Sequence, residues 1–295
     1  MPVPRKILIR VIGAPLLVAA LCALLYWGHT FEQKGSRNYP LFGLILVVGY
    51  VCCLEFLGMC KAKGIEIPKD ITGMVATFFL MTVGGWYLYA DRHHPAAVFA
   101  MVAMIAFLYI AGCTVFRYGR FTPEAAGLTL FAFIYVCLLG FLLFPPVTRS
   151  VATYYLLFLL AAGKGSDMAA FVAGKSIGKH KMAPVVSPNK TWEGGIAGGI
   201  VGTAAGLAVI LLTPLKDVYG RFPVAALLLF CLIVTIAGQV GDLVKSAFKR
   251  WAGVKDSGRI LPEFGGMIDM VDSFLIEAPV AFLGTGLLME LFKGS

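Results

Sequence analysis

The chain has 295 residues, of which 59% are hydrophobic and 14% charged, with a formal net charge of +9. A soluble domain carries roughly a quarter charged residues, so this composition excludes an ordinary soluble globule. The mean hydropathy of +0.85 instead places the chain among polytopic membrane proteins. The positive excess lies in loops, which points to a membrane surface or an anionic ligand rather than nucleic acid.

The cysteines (Cys22, Cys52, Cys53, Cys60, Cys113, Cys137 and Cys231) all fall inside or at the end of apolar runs. None forms a Cys-x-x-Cys pair and their number is odd, so they read as small hydrophobes and not as a disulfide framework or zinc site. The histidines, His29, His93, His94 and His180, show no metal-ligand spacing.

Apolar runs of about 20 residues recur along the whole chain, the length needed to cross a bilayer as a helix. The first follows Arg5, Lys6 and Arg10 and extends to about Gly28; it is long for a cleaved signal and reads as an uncleaved span. Further spans are predicted at about 39–60, 71–90, 96–114, 125–145, 151–174, 194–213, 222–243 and 265–292, roughly nine in all. The expected fold is therefore an all-α, polytopic membrane protein. Residues 1–150 are expected to form scaffold and lipid-contact helices, and 151–295 a catalytic region with polar segments 175–193 and 244–264. Glu55 is the main polar exception in the first five spans and is read as lying near a helix end.

Lysine and arginine concentrate in segments 1–10, 61–69, 115–121, 175–193 and 244–264. Alternating sides along the spans puts these segments together, so the positive-inside rule predicts a cytoplasmic N-terminus and an external C-terminus. It also places both polar segments of the second half on the cytoplasmic face.

The sixth span contains Gly163-Lys164-Gly165-Ser166-Asp167. An ionised group at mid-membrane costs about 2.5–3.5 kcal/mol on insertion scales. Lys164 and Asp167, three apart, can pair on one helix face; alternatively Asp167 faces a polar cavity. The segment that follows holds Lys175, Lys179, Lys181, Ser187, Asn189, Lys190 and Thr191, ending at Trp192. Gly174-Lys175-Ser176 looks like the tail of a P-loop, but the first glycine of that motif would fall on Ala169, which rejects it. Two readings stay open for this loop: a positive-inside loop with Trp192 as interfacial anchor, or a phosphate-binding loop. The seventh span carries overlapping Gly-x-x-x-Gly spacings from Gly194 to Gly206, a face for close helix approach within the chain or in a homodimer.

The stretch 238–272 concentrates the chemistry. Asp242 ends an apolar run; Lys245, Ser246, Lys249, Arg250, Lys255, Asp256 and Arg259 follow; Asp269 and Asp272 open the last run one helical turn apart. Carboxylates beside bases can hold a hard cation next to phosphates. Helix capping alone accounts for Asp269, but not for the whole set.

Ser246-Ala247-Phe248-Lys249-Arg250, Lys255-Asp256-Ser257-Gly258, Leu261-Pro262, Gly265-Gly266, Asp269 and Asp272 resemble the signature of the phosphatidate cytidylyltransferases (CDP-diacylglycerol synthases). The segment Ser187-Pro188-Asn189-Lys190-Thr191-Trp192-Glu193-Gly194, the Gly241-Asp242 pair, and Asp167 with Ala170-Phe171 resemble further motifs of that family, in order and spacing, over about 160–277. The resemblance implies transfer of a cytidylyl group from CTP to phosphatidate in a bacterial cell membrane, with one or two Mg²⁺ ions and release of pyrophosphate. It implies Asp242 and Asp269 as metal ligands, and Asp242, Asp269, Asp272, Lys249, Arg250 and Ser246 as candidate catalytic residues. Lys175, Lys179, Lys181, Ser187, Asn189, Lys190, Thr191, Asp167, Lys255 and Asp256 are candidates for binding substrate phosphates or bracing the site. The family usually has His where Phe264 stands and Arg where Met270 stands, so no role is carried over to those two positions. The alternatives are a CTP-dependent lipid or polyprenol kinase, a transporter of anionic solutes, and a non-catalytic membrane paralogue.

Overall fold

The computed structural model of the chain describes residues 23, 26–30, 38–68, 70–73, 75, 77, 79, 95–117, 121–139, 151–258 and 265–293. Five helices among them are long and apolar enough to cross a membrane: α1 (Tyr39–Ala62), α4 (Ala152–Ser176), α5 (Trp192–Leu212), α7 (Val224–Ala252) and α8 (Met267–Leu291). Two more apolar helices, α2 (Pro95–Phe116) and α3 (Pro123–Cys137), lie between α1 and α4, and the short α6 (Lys216–Tyr219) links α5 to α7. The protein is an integral membrane protein built of helices. The expected runs at 11–28 and 71–90 fall largely outside the described residues.

The chain divides into two compact units, one of residues 1–140 and 251–270, the other of 141–250 and 271–295. In the first, Asn38 caps α1 by accepting the Leu41 N–H at 3.0 Å, and the helix ends before Gly64, whose φ of +89° is one that side chains rarely allow. Helix α1 packs on α3, where Phe131 stacks on Tyr135 and Phe56 approaches Phe131 at 5.6 Å between ring centres. Thr122 caps α3 with Pro123 in its first turn. A second apolar cluster joins Ile71, Ile110, Phe121 and Ala125.

In the second unit the glycine face of α5 lies on α4. A Cβ at Gly194 would sit 2.7 Å from the Ala170 carbonyl oxygen, one at Gly198 2.8 Å from that of Ser166, and one at Gly202 2.6 Å from that of Ala162. The glycine stripe thus serves helix packing inside the chain, and backbone meets backbone along it. At Gly206 a Cβ would lie 3.0 Å from Phe158, which stacks on Phe230, and the Tyr219 hydroxyl meets Thr285 Oγ1 at 2.8 Å.

Two local features differ from the sequence reading. The segment expected as a loop contains a two-stranded antiparallel hairpin, β1 (Lys181–Ala183) and β2 (Ser187–Thr191), turning at Pro184-Val185-Val186. Its short strands lack the alternating apolar pattern that announces a strand. Helix α7 also does not stop near residue 243. It continues to Ala252 and breaks at Gly253, φ +71°, so Lys245, Ser246, Lys249 and Arg250 are helical. Apolar content marks where a span leaves the hydrocarbon, not where its helix ends.

Candidate active site

Strand β2 runs directly into α5. Thr191, at the junction, is buried and its hydroxyl accepts the Gly194 N–H at 3.2 Å, capping the helix. The preceding residue, Lys190, thereby points its ammonium at Asp242 on α7, 2.6 Å away. One turn further along α7, Lys245 lies 2.7 Å from the other oxygen of Asp242 and also bonds Asp272 on α8. Asp272 is 3.6 Å from Lys164 on α4, which in turn lies 3.3 Å from Asp167. Lysine and aspartate therefore alternate along one chain of contacts: Lys190, Asp242, Lys245, Asp272, Lys164, Asp167.

Charge alternation is what permits this cluster inside apolar helices. Each ion is flanked by opposite charge, and isolated burial of any one would be costly. Lys245 and Asp272 are 8% and 3% exposed, whereas Lys164, Asp167, Lys190 and Asp242 keep partial access to solvent. The glycine before Asp242 makes the crossing possible, since a Cβ on Gly241 would lie 2.6 Å from the Asp272 carbonyl oxygen. Gln239, one turn earlier, donates to Ser166 Oγ at 2.9 Å and to the Gly195 carbonyl at 3.0 Å, tying α7 to α4 and α5.

The other unit holds a second polar group. Asp269 Oδ2 accepts from the Ser257 N–H and hydroxyl, both at 3.0 Å, and from the Gly266 N–H at 3.2 Å. Ser257 Oγ is also 3.0 Å from Glu55 Oε2. Glu55, on α1, accepts the Met267 N–H at 2.8 Å and the Ile268 N–H at 3.0 Å.

The remaining candidates are spread more widely. Arg250 donates from Nε to the Val186 carbonyl at 3.3 Å, bracing the hairpin turn. Lys175, Lys179 and Lys181 are exposed, Lys175 lying 5.9 Å from the Phe171 ring centre. Ser187, Ser246 and Lys249 are half-buried, and Asn189, Lys255 and Asp256 exposed. Arg259 and Phe264 lie outside the described residues; Met270 is half-buried at the start of α8. Sequence reasoning left Lys164, Lys245, Gln239 and Ser257 out of its candidate site and gave Glu55 no role. The spacing of Asp242 and Lys245 held the signal for one of them, once the helix is known to continue.

Carboxylate oxygens are the ligands a hard dication takes, so the acids present suit Mg²⁺ in kind. Among the described residues no group of three or more His, Cys, Asp or Glu side chains is arranged to hold a metal by itself. An ion here would take its other ligands from water and substrate phosphates, as Mg²⁺ commonly does at nucleotide sites.

Residues 8–288 match the cytidylyltransferase family. The chain belongs to this family. The match takes in the first-half helices as well as the C-terminal motifs. Among curated proteins the chain is 36% identical over 253 residues to a phosphatidate cytidylyltransferase of Staphylococcus aureus (strain COL), covering 84% of this chain and 89% of the relative. Enzymes of the same name from Staphylococcus saprophyticus and Staphylococcus epidermidis are 34% and 35% identical, with the same coverage.

Proposed function

We propose that the protein transfers the cytidylyl group of CTP to phosphatidate, forming CDP-diacylglycerol and pyrophosphate for phospholipid synthesis. The observation that carries this reading is the lysine–aspartate chain, buried at Lys245 and Asp272 and open to solvent at its other members, in a chain that matches the cytidylyltransferase family. In the reaction a phosphate oxygen of the lipid attacks the α-phosphorus of CTP. A new P–O bond forms there while the bond from the α-phosphorus to the bridging oxygen of the β-phosphate breaks, and pyrophosphate leaves with that oxygen. An ionised phosphate monoester is its own nucleophile, so no strong general base is needed. The protein's contribution is to bring two polyanions together and to stabilise the charge that shifts onto the leaving group.

Lys190 and Lys245 are the cations best placed for that task, each already held against Asp242. Their prior pairing keeps them oriented before substrate arrives, which lowers the reorganisation needed during reaction. Exposed Lys175, Lys179 and Lys181, with Arg250, surround the hairpin with positive charge that attracts CTP. Asp242 and Asp269 are the carboxylates proposed for Mg²⁺, which when bound polarises a phosphoryl oxygen and offsets charge on pyrophosphate. Asp272 holds Lys245 and Lys164 in place, and Asp167 pairs with Lys164 from the same helix. The positive-inside pattern supports a cytoplasmic N-terminus and site in a bacterial cell membrane.

Purified protein in mixed micelles, given CTP, phosphatidate and MgCl₂, is expected to yield CDP-diacylglycerol by lipid mass spectrometry. A folded sample giving none with phosphatidates of several acyl lengths would overturn this function.

A further inference from the structure

We propose that Glu55 is a positioning residue for this transfer, holding the Ser257–Gly258 segment and the first turn of α8 in register so that Asp269 is correctly placed; the proposal rests on the function given above. Glu55 stands on α1, more than two hundred residues before the segment it organises. It is 6% exposed in an apolar helix, a position where an unpartnered carboxylate is costly. Its partners explain its presence. Oε1 accepts the Met267 N–H at 2.8 Å, and Oε2 accepts the Ile268 N–H at 3.0 Å and approaches Ser257 Oγ at 3.0 Å.

Met267 and Ile268 are the first two residues of α8, and the opening N–H groups of a helix have no acceptor within it. Glu55 supplies that acceptor from another helix, and its negative charge suits the positive end of the α8 dipole. The cap is built to fit this one side chain. A Cβ on Gly258 would fall 2.3 Å from Glu55 Oε1, and one on Gly266 2.4 Å from Oε2 and 2.1 Å from Ser257 Oγ. Gly258 and Gly266 leave space that the Glu55 carboxylate and the Ser257 hydroxyl fill.

The link to Asp269 runs through one proton. Ser257 Oγ is 3.0 Å from Glu55 Oε2 and 3.0 Å from Asp269 Oδ2, yet a hydroxyl donates only one hydrogen at a time. Glu55 therefore shares Ser257 with Asp269 and competes for its hydroxyl. Removing Glu55 frees α8's first turn and leaves Ser257 wholly to Asp269, which changes both the place and the bonding of that carboxylate. A displacement of about 1 Å in a reacting constellation costs on the order of 10²-fold.

The test uses full-length Glu55→Gln, Glu55→Ala, Ser257→Ala and the double variant Glu55→Gln/Ser257→Ala beside wild type. Glu55→Gln is expected to lower kcat by roughly 10- to 100-fold while KM for CTP and phosphatidate changes little. Ser257→Ala is expected to lower kcat likewise, and the double variant to lose no more than the worse single one, because both act through one contact. Hydrogen exchange in peptides spanning 257–270 is expected to rise in Glu55→Ala, a readout independent of turnover. Wild-type kcat in Glu55→Gln, losses that multiply in the double variant, or unchanged exchange would each overturn the role. If Glu55→Gln does not fold, Ser257→Ala at wild-type kcat overturns it alone. A wild type that makes no CDP-diacylglycerol removes the function reading first, whereas an active wild type with an equally active Glu55→Gln removes only the positioning role.

Discussion

Lys245→Met is the perturbation whose outcome follows most directly from the geometry. Lys245 is 8% exposed and serves two carboxylates at once, Asp242 at 2.7 Å and Asp272 through a direct hydrogen bond. Methionine fills a similar volume, so packing is nearly kept and the change is one of charge. Removing one member of a buried ion pair typically costs about 3–5 kcal/mol, because the other is left buried without compensation. Here the loss is shared unequally. Asp242 keeps Lys190 at 2.6 Å, whereas Asp272 is left with Lys164 at 3.6 Å and the Ser273 N–H at 2.7 Å. That puts the cost near the lower end, about 3 kcal/mol, or roughly 100-fold in the unfolding equilibrium. The assay is unfolding in SDS–detergent mixtures beside CDP-diacylglycerol synthesis. Lys245→Met is expected to unfold at a lower SDS fraction and to lose turnover. The double variant Lys245→Met/Asp272→Leu removes both charges, and replacing a whole buried pair by apolar groups is often near neutral. It should regain most of the stability and none of the activity. Unfolding of Lys245→Met at the wild-type SDS fraction, or a double variant weaker than the single one by a further full increment, would refute the reasoning.

Gly202→Leu is expected to destabilise the fold by at least about 1–3 kcal/mol through overpacking, since even a Cβ there would lie 2.5 Å from Thr235 and 2.6 Å from the Ala162 carbonyl; Ile200→Leu on the exposed side of the same helix should unfold like wild type. Lys190→Ala should reduce kcat by about 10²-fold or more, whereas Lys181→Ala, exposed on the hairpin, should chiefly raise KM for CTP; equal effects would contradict the distinction. Glu277 is fully buried beside Gly163 and Gly238, and neither carboxylate oxygen has a hydrogen-bond partner among the described residues. Glu277→Gln, of the same shape, is expected to leave the SDS unfolding midpoint unchanged, and a clear loss of stability would show that its charge is used.

Membrane character was legible from composition because the bilayer demands long apolar helices, and apolar runs of that length recur along the chain. The glycine face from Gly194 to Gly206 was legible as a packing face, but its partner was not, since small residues look alike whether the approaching backbone is in the same chain or another copy. The continuation of α7 to Ala252 was missed because hydropathy falls at Asp242 while helix propensity does not. That error hid the turn-apart spacing of Asp242 and Lys245 as a helical pair. Glu55 was hardest to read. A single acid near the end of an apolar run has a bland explanation, and its partners at Ser257, Met267 and Ile268 are distant in sequence. Only tertiary structure makes it a cap for α8.

The most direct measurement follows the phosphorus atoms of CTP. Protein in mixed micelles with phosphatidate and Mg²⁺ receives CTP labelled at either the α- or the γ-phosphate. Cytidylyl transfer predicts that α-label enters the lipid and γ-label leaves as pyrophosphate, in equal amounts. Label from the γ-phosphate in the lipid, with CDP released, would instead identify a lipid kinase and contradict the assignment.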